Sequence, residues 1–211
     1  MDILKSYDAN FVFLGQRHYI HGSSMTHGLF EAVKSWSLGS VERVQVNVRS
    51  LLKEQGRYEL FHSENGKEYM EKEYNTIIRV QCGKDIYAVG LKGRGEPVMV
   101  AEPYDEEALI ADCKIIKDSK AATLLLLHLD APVINIIIAL NKKLVQTLFP
   151  SEGYGQWFLA RYDLIWEKIP LIEPALLEIE VVGNIGASNT NSAIRLSGEP
   201  IGSIYFSRNI K

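Results

Sequence analysis

The chain has 211 residues, 46% of them hydrophobic, with 23 Lys and Arg against 26 Asp and Glu for a net charge of −3. That apolar supply builds one large domain or two small ones, and mild acidity argues against general nucleic-acid binding, which leaves a basic footprint. Two cysteines, Cys82 and Cys113, make neither a disulfide framework nor a zinc site alone, and suit a reducing compartment.

The opening Met1-Asp2-Ile3-Leu4-Lys5 lacks the basic-then-apolar order of a signal peptide, so a cytoplasmic location is expected. Asn10 to Ile20 reads as extended. Ser23-Ser24 offers an N-cap, and Met25, Leu29, Ala32, Val33 and Trp36 share one face of a helix that ends at Ser37-Leu38-Gly39. From Val41 to Leu52 the chain alternates, with Val44, Val46 and Val48 set against Arg43, Gln45 and Asn47, the period of a half-buried strand. Tyr58 to His62 is a second strand and Glu64-Asn65-Gly66-Lys67 a turn. Tyr74 to Cys82 and Ile86 to Lys92 form a hairpin.

Residues 94–120 read as a connector holding Pro97, Pro103, a short helix and the acidic run Asp105-Glu106-Glu107, a solvated face near a helix start. Ala122 to Leu127 is a strand and Val133 to Phe149 a helix, stopped at Pro150. Trp157 to Glu167 and Ala175 to Val182 are strands. Ser192 to Leu196 and Ile201 to Ser207 close the chain as a hairpin. The apolar stretch from Leu124 to Leu140 contains His128, Asp130, Pro132 and Asn135, which would be costly in lipid. It reads as a buried strand, a break and a buried helix, and no membrane association is expected.

One unit therefore occurs twice: 1–93 as the first copy, 94–120 as the connector and 121–211 as the second copy. Asn75-Thr76-Ile77-Ile78-Arg79-Val80 with Gly83 answers to Ser192-Ala193-Ile194-Arg195-Leu196 with Gly198. His18 lines up with His128, and Glu31 with Asn141. In the second copy Ile134, Ile136, Ile137, Ile138, Ala139, Leu140, Leu144 and Val145 make a helix apolar nearly all round, which must be buried on most sides. A curled antiparallel sheet around it meets that demand.

A helix followed by an antiparallel meander, repeated, is the order of a tandem (double) hot-dog, an α+β fold. His18-Tyr19-Ile20-His21-Gly22-Ser23-Ser24-Met25-Thr26-His27-Gly28-Leu29-Phe30-Glu31-Ala32 resembles the signature of hot-dog 3-hydroxyacyl-[acyl carrier protein] dehydratases, a His-Phe-Pro-Gly loop leading into Pro-x-Met-Pro-Gly-Val-Leu and Glu-Ala. His18, Met25 and Leu29 match in register, Gly28 and Glu31-Ala32 are displaced by one residue, and the Phe-Pro-Gly is absent. His128-Leu129-Asp130-Ala131-Pro132-Val133 resembles the same loop, with Asn141 at the position of Glu31. Met25, Gly28-Leu29, Glu31 and Trp36 also look like the first helix of double hot-dog acyltransferase/decarboxylases of polyketide pathways, a reading that needs a tyrosine or serine nucleophile.

The resemblance implies an enzyme acting on an acyl thioester held by coenzyme A or acyl carrier protein, a dehydratase or a thioesterase, with no cofactor. It implies two sites at the seam of the copies, one pairing His128 with Glu31 and the other His18 with Asn141. Neutral histidine is a base suited to removing a proton alpha to a thioester, and helix-start N–H groups polarise the carbonyl. An amide such as Asn141 positions water but cannot act as acid or base. The competing class is a non-catalytic acyl-binding or assembly protein.

Plainer roles stand beside these. His18, His21 and His27 lack the spacing and partners of a metal site, and no metal is expected. His128 is also readable as a core histidine, Glu31 as a surface partner of Lys34, and Asp130 as an N-cap. Tyr154, between two glycines, is a tunnel gate or an ordinary turn aromatic. Gly-x-Ser-x-Gly, Walker and Rossmann patterns are missing, and Gly183-Asn184-Ile185-Gly186-Ala187 precedes a strand, which removes a phosphate cradle. Pairing into a homo-oligomer through exposed sheet edges is a further expectation.

Overall fold

The computed structural model describes residues 3–62, 73–127, 131–150, 155–169, 174–185 and 188–208. The chain divides into two compact units, one running to Tyr104 and one over Asp105–Ile210. The expected connector is thus shared out: residues 94–97 finish a strand of unit 1, and 105–120 belong to unit 2.

Unit 1 contains β1 (Lys5–Ala9), β2 (Phe13–Leu14), α1 (Gly22–Trp36), β3 (Val41–Val48), β4 (Glu54–His62), β5 (Thr76–Cys82), β6 (Asp85–Pro97) and β7 (Ala101–Glu102). The expected extended run from Asn10 to Ile20 supplies only β2, which pairs in parallel with β7. The first long strand is β1. Five strands form an antiparallel sheet in the order β1-β4-β6-β5-β3. Helix α1 starts at Gly22, ahead of the expected serine cap. His21 holds the N-cap position without a side-chain cap bond, and Ser37 ends the helix in the left-handed conformation. Met25, Leu29, Ala32, Val33 and Trp36 are buried on α1 as their spacing demands. Tyr58 Oη of β4 donates to the Met25 carbonyl at 2.5 Å, tying helix to sheet.

The other face of this sheet has a small core of its own. Phe61 and Tyr74 meet edge to face with centroids 5.8 Å apart, beside Ala88. Tyr74 Oη donates to the buried Glu59 carboxylate, which Lys92 Nζ meets at 3.0 Å.

Unit 2 contains α2 (Glu106–Leu109), β8 (Lys114–Ile116), β9 (Ala121–Leu126), α3 (Val133–Leu148), β10 (Phe158–Ile165), a 3₁₀ turn (Trp166–Lys168), β11 (Ala175–Ile185), β12 (Asn189–Leu196) and β13 (Glu199–Ser207). Its antiparallel sheet runs β10-β13-β12-β11-β9-β8. The acidic run is more than a solvated face. Asp105 caps α2 by accepting from Ala108 N at 3.1 Å, while Glu106 and Glu107 pair with Lys142 and Lys143 of α3 at 2.6 and 2.7 Å. Helix α3 is buried nearly all round. Ser197 and Gly198, both at positive φ, form the two-residue turn between β12 and β13.

The units share element order but differ in strand order. Inward from the strand after each helix, unit 1 reads β3-β5-β6-β4-β1 and unit 2 reads β10-β13-β12-β11-β9. The members of the matched hairpins have exchanged places. The connections before the hairpins differ in length. β11 turns directly into β12, with Ile185 opposite Asn189, whereas the stretch from His62 to Thr76 is long enough for β5 to cross to the far side of β6.

Candidate functional site

In unit 2 the apolar period of α3 is broken at one inward position. Asn141 is 0% exposed, and neither its amide nitrogen nor its amide oxygen has a hydrogen-bond partner among the described residues. Leaving a buried polar atom unpaired costs about 1–3 kcal/mol, so this residue is a burden that stability alone does not explain. Burial sets its register. Gly28, Leu29, Ala32 and Val33 on α1 recur in spacing as Leu140, Asn141, Leu144 and Val145 on α3. Asn141 therefore falls on the buried side of α3.

Strand β12 adds two hydroxyls. Thr190, Ser192, Ile194 and Leu196 are buried on one face of it, and Thr190 (3% exposed) and Ser192 (0%) have unpartnered hydroxyls among the described residues. Ser192 lies opposite Val181 on one neighbouring strand and Ile204 on the other, so apolar side chains flank it. In unit 1 the matched Thr76 hydroxyl reaches Met25 Sδ at 3.6 Å. Toward the end of α3, Arg208 stacks on the Trp157 ring at 4.2 Å and donates to the Phe149 carbonyl.

Unit 1 offers a different group at the start of α1. His21 is buried, its Nδ1 is 2.7 Å from Ser23 Oγ, and its ring lies 5.4 Å from that of Tyr104. The Arg17 guanidinium covers Tyr104 at 5.2 Å. His18 is exposed and meets Phe13 edge to face. Glu31 is also exposed. His18 and Glu31 belong to unit 1 and Asn141 to unit 2, while His128, Asp130, Tyr154, Gly186 and Ala187, like the Glu64–Lys67 turn, lie outside the described residues. Burial holds the Cys82 and Cys113 thiols above their ordinary pKa, which disfavours a thiolate nucleophile at either.

No family model and no curated protein matches the sequence. Solved structures do resemble it. A TesB protein of Mycobacterium avium subsp. paratuberculosis matches with a TM-score of 0.50 at 11% identity, over 96% of this chain and 91% of that one. A candidate thioesterase from Novosphingobium aromaticivorans gives 0.51 at 11% identity, over 98% and 94%. The pyran synthase domain from module nine of the sorangicin pathway gives 0.52 at 14% identity, over 97% and 92%.

The fold is a double hot-dog. In this double hot-dog the central helices differ in chemistry: α1 buries the hydroxyls of Ser23 and Thr26 near its start, and α3 buries the amide of Asn141. The histidine at the start of α1 that is buried and bonded is His21, not the His18 matched to the family loop. Strand parity was the signal for the hydroxyls. Reading Thr190 as loop hid that it continues the inward series Ser192, Ile194 and Leu196. No helix among the described residues is long and apolar enough to cross a membrane.

Proposed function

We propose that the protein hydrolyses acyl thioesters carried by coenzyme A or acyl carrier protein. The observation that carries this reading is the fully buried amide of Asn141, unpartnered among the described residues. An amide can accept a hydrogen bond from a water and donate one to another oxygen, which holds a nucleophile in place without transferring protons itself. The likeness to a TesB protein and to a candidate thioesterase supports the same choice.

In this mechanism Asn141 orients the water and His128 takes its proton as the oxygen attacks the thioester carbon. Backbone N–H groups at a central helix start meet the developing oxyanion. Collapse breaks the C–S bond, and the proton on His128 passes to the departing thiolate.

A mass-spectrometric screen of acyl-coenzyme A and acyl-carrier-protein esters tests the reading, with free acid and free thiol as the expected products. Asn141→Leu, which fills the position with an apolar side chain of similar size, should lower the hydrolysis rate at least about a hundredfold while keeping the fold. Full activity in that variant would remove Asn141 from the mechanism. Loss of water from 3-hydroxyacyl esters, abolished by His128→Ala, would replace hydrolysis by dehydration. An acyl species retained without turnover would make the protein a binding module.

A further inference from the structure

Thr190 and Ser192 are successive inward positions of β12, roughly 7 Å apart along the strand, and both are more than nine-tenths buried with unpartnered hydroxyls among the described residues. Position by position the alternatives are obvious. Valine would fill the place of Thr190, and alanine that of Ser192, without an orphaned donor. The same face continues with Ile194 and Leu196, and the strand beside it presents Ile204 and Phe206. Two hydroxyls are therefore kept in an apolar setting at a cost of about 1–3 kcal/mol each. Unit 1 avoids this at the matched Thr76, whose hydroxyl is satisfied by Met25.

Hydroxyls donate and accept without charge. Such a pair does not suit a carboxylate or phosphate, which calls for Arg, Lys or several N–H donors, and it does not suit a bare alkyl chain, which would leave both hydroxyls unpaired. It suits an uncharged oxygen. We propose that unit 2 recognises a hydroxyl or keto oxygen on the acyl chain of its substrate through Ser192 and Thr190. This selects oxygenated acyl thioesters over plain alkanoyl thioesters of equal length. The assignment builds on the acyl-thioester reading above and concerns the acyl chain beyond the carbonyl, not the bond that breaks.

The test is calorimetric binding of hydrolysis-resistant S-(2-oxoalkyl) coenzyme A analogues of one chain length, with and without a hydroxyl on the third acyl carbon. The wild-type protein is expected to bind the hydroxylated analogue about tenfold tighter or better, since a site built to bond a hydroxyl discriminates strongly against its absence. In the Thr190→Val/Ser192→Ala double variant the preference should fall to within about twofold, and Ser192→Thr should retain it. Equal binding of both analogues by the wild type overturns the proposal. So does an undiminished preference in the double variant. A double variant of higher melting temperature, from a wild type without preference, would show that the hydroxyls hold water only. The two readings separate cleanly: a preference without hydrolysis of any ester removes the hydrolase, and hydrolysis without a preference removes the oxygen site.

Discussion

Single residues carry the chemical argument. Asn141 is kept where an apolar side chain would pack, so exchanging it for leucine should raise stability by about 1–3 kcal/mol while hydrolysis is lost. Chemical denaturation beside the ester assay reads both, and a destabilised variant would show that the amide supports the fold. Glu59 presents the opposite case, a buried carboxylate that is well partnered. Tyr74→Phe keeps the ring over Gly90 but removes the phenol that bonds Glu59. The expected loss is about 1.5–3 kcal/mol, the range for a hydrogen bond to a charged group, measured by urea unfolding. Burial, followed by that bond, raises the Tyr74 pKa above its ordinary value of 10.0. The stabilisation is present below that value and is lost as pH climbs through the raised folded pKa. Tyr74→Phe should therefore flatten the alkaline end of the stability profile.

Elements are held by pairs that a pattern reading does not see. Edge strand β1 is clamped at Asp8, whose carboxylate meets Arg57 Nε at 2.5 Å and Nη2 at 3.0 Å and Arg94 Nη1 at 3.2 Å. The Arg57 hydrogen bond is the main cause of a carboxyl pKa held below the ordinary carboxylate range. The clamp's contribution is present above the unfolded pKa and fades as pH falls through the lowered folded value. Asp8→Asn should therefore reduce stability at neutral pH and converge with the wild type in acid. High salt should narrow the gap, because the pair is largely exposed. The junction of β10 and β13 depends on Gly202. Its φ of +150° and a Cβ position only 2.0 Å from the Asp163 carbonyl oxygen leave no room for a side chain. Gly202→Ala should cost more than about 2 kcal/mol, and a melting temperature within a degree of the wild type would refute this.

At the scale of the whole molecule, two units with one element order were legible because periodicity is a local property. The 3.6-residue stripe of Met25, Leu29, Ala32, Val33 and Trp36 and the near-continuous apolar run of α3 each specify a buried helix. The alternation of β3 and the glycine turns after Cys82 and Leu196 specify strands and hairpins. Boundaries were less legible: β12 begins at Asn189, ahead of the expected Ser192, and its polar residues Asn189, Thr190 and Asn191 carry no apolar signal. Of the candidate site, Asn141 was marked from its alignment with Glu31 in the repeat, whereas its lack of a partner among the described residues was not visible. Which polar groups end unpaired depends on the neighbours that distant strands supply.

The amino-acid sequence by itself determined the helices, the closing hairpins and the repeated α+β plan, since these follow from spacing along the chain. Only the tertiary structure decided the exchanged order of the β5–β6 and β12–β13 hairpins, the complete burial of Asn141, and the burial of His21, Thr190 and Ser192. The physical reason is that a loop's path and the filling of a core are settled by contacts between residues far apart in sequence, on which local periodicity is silent.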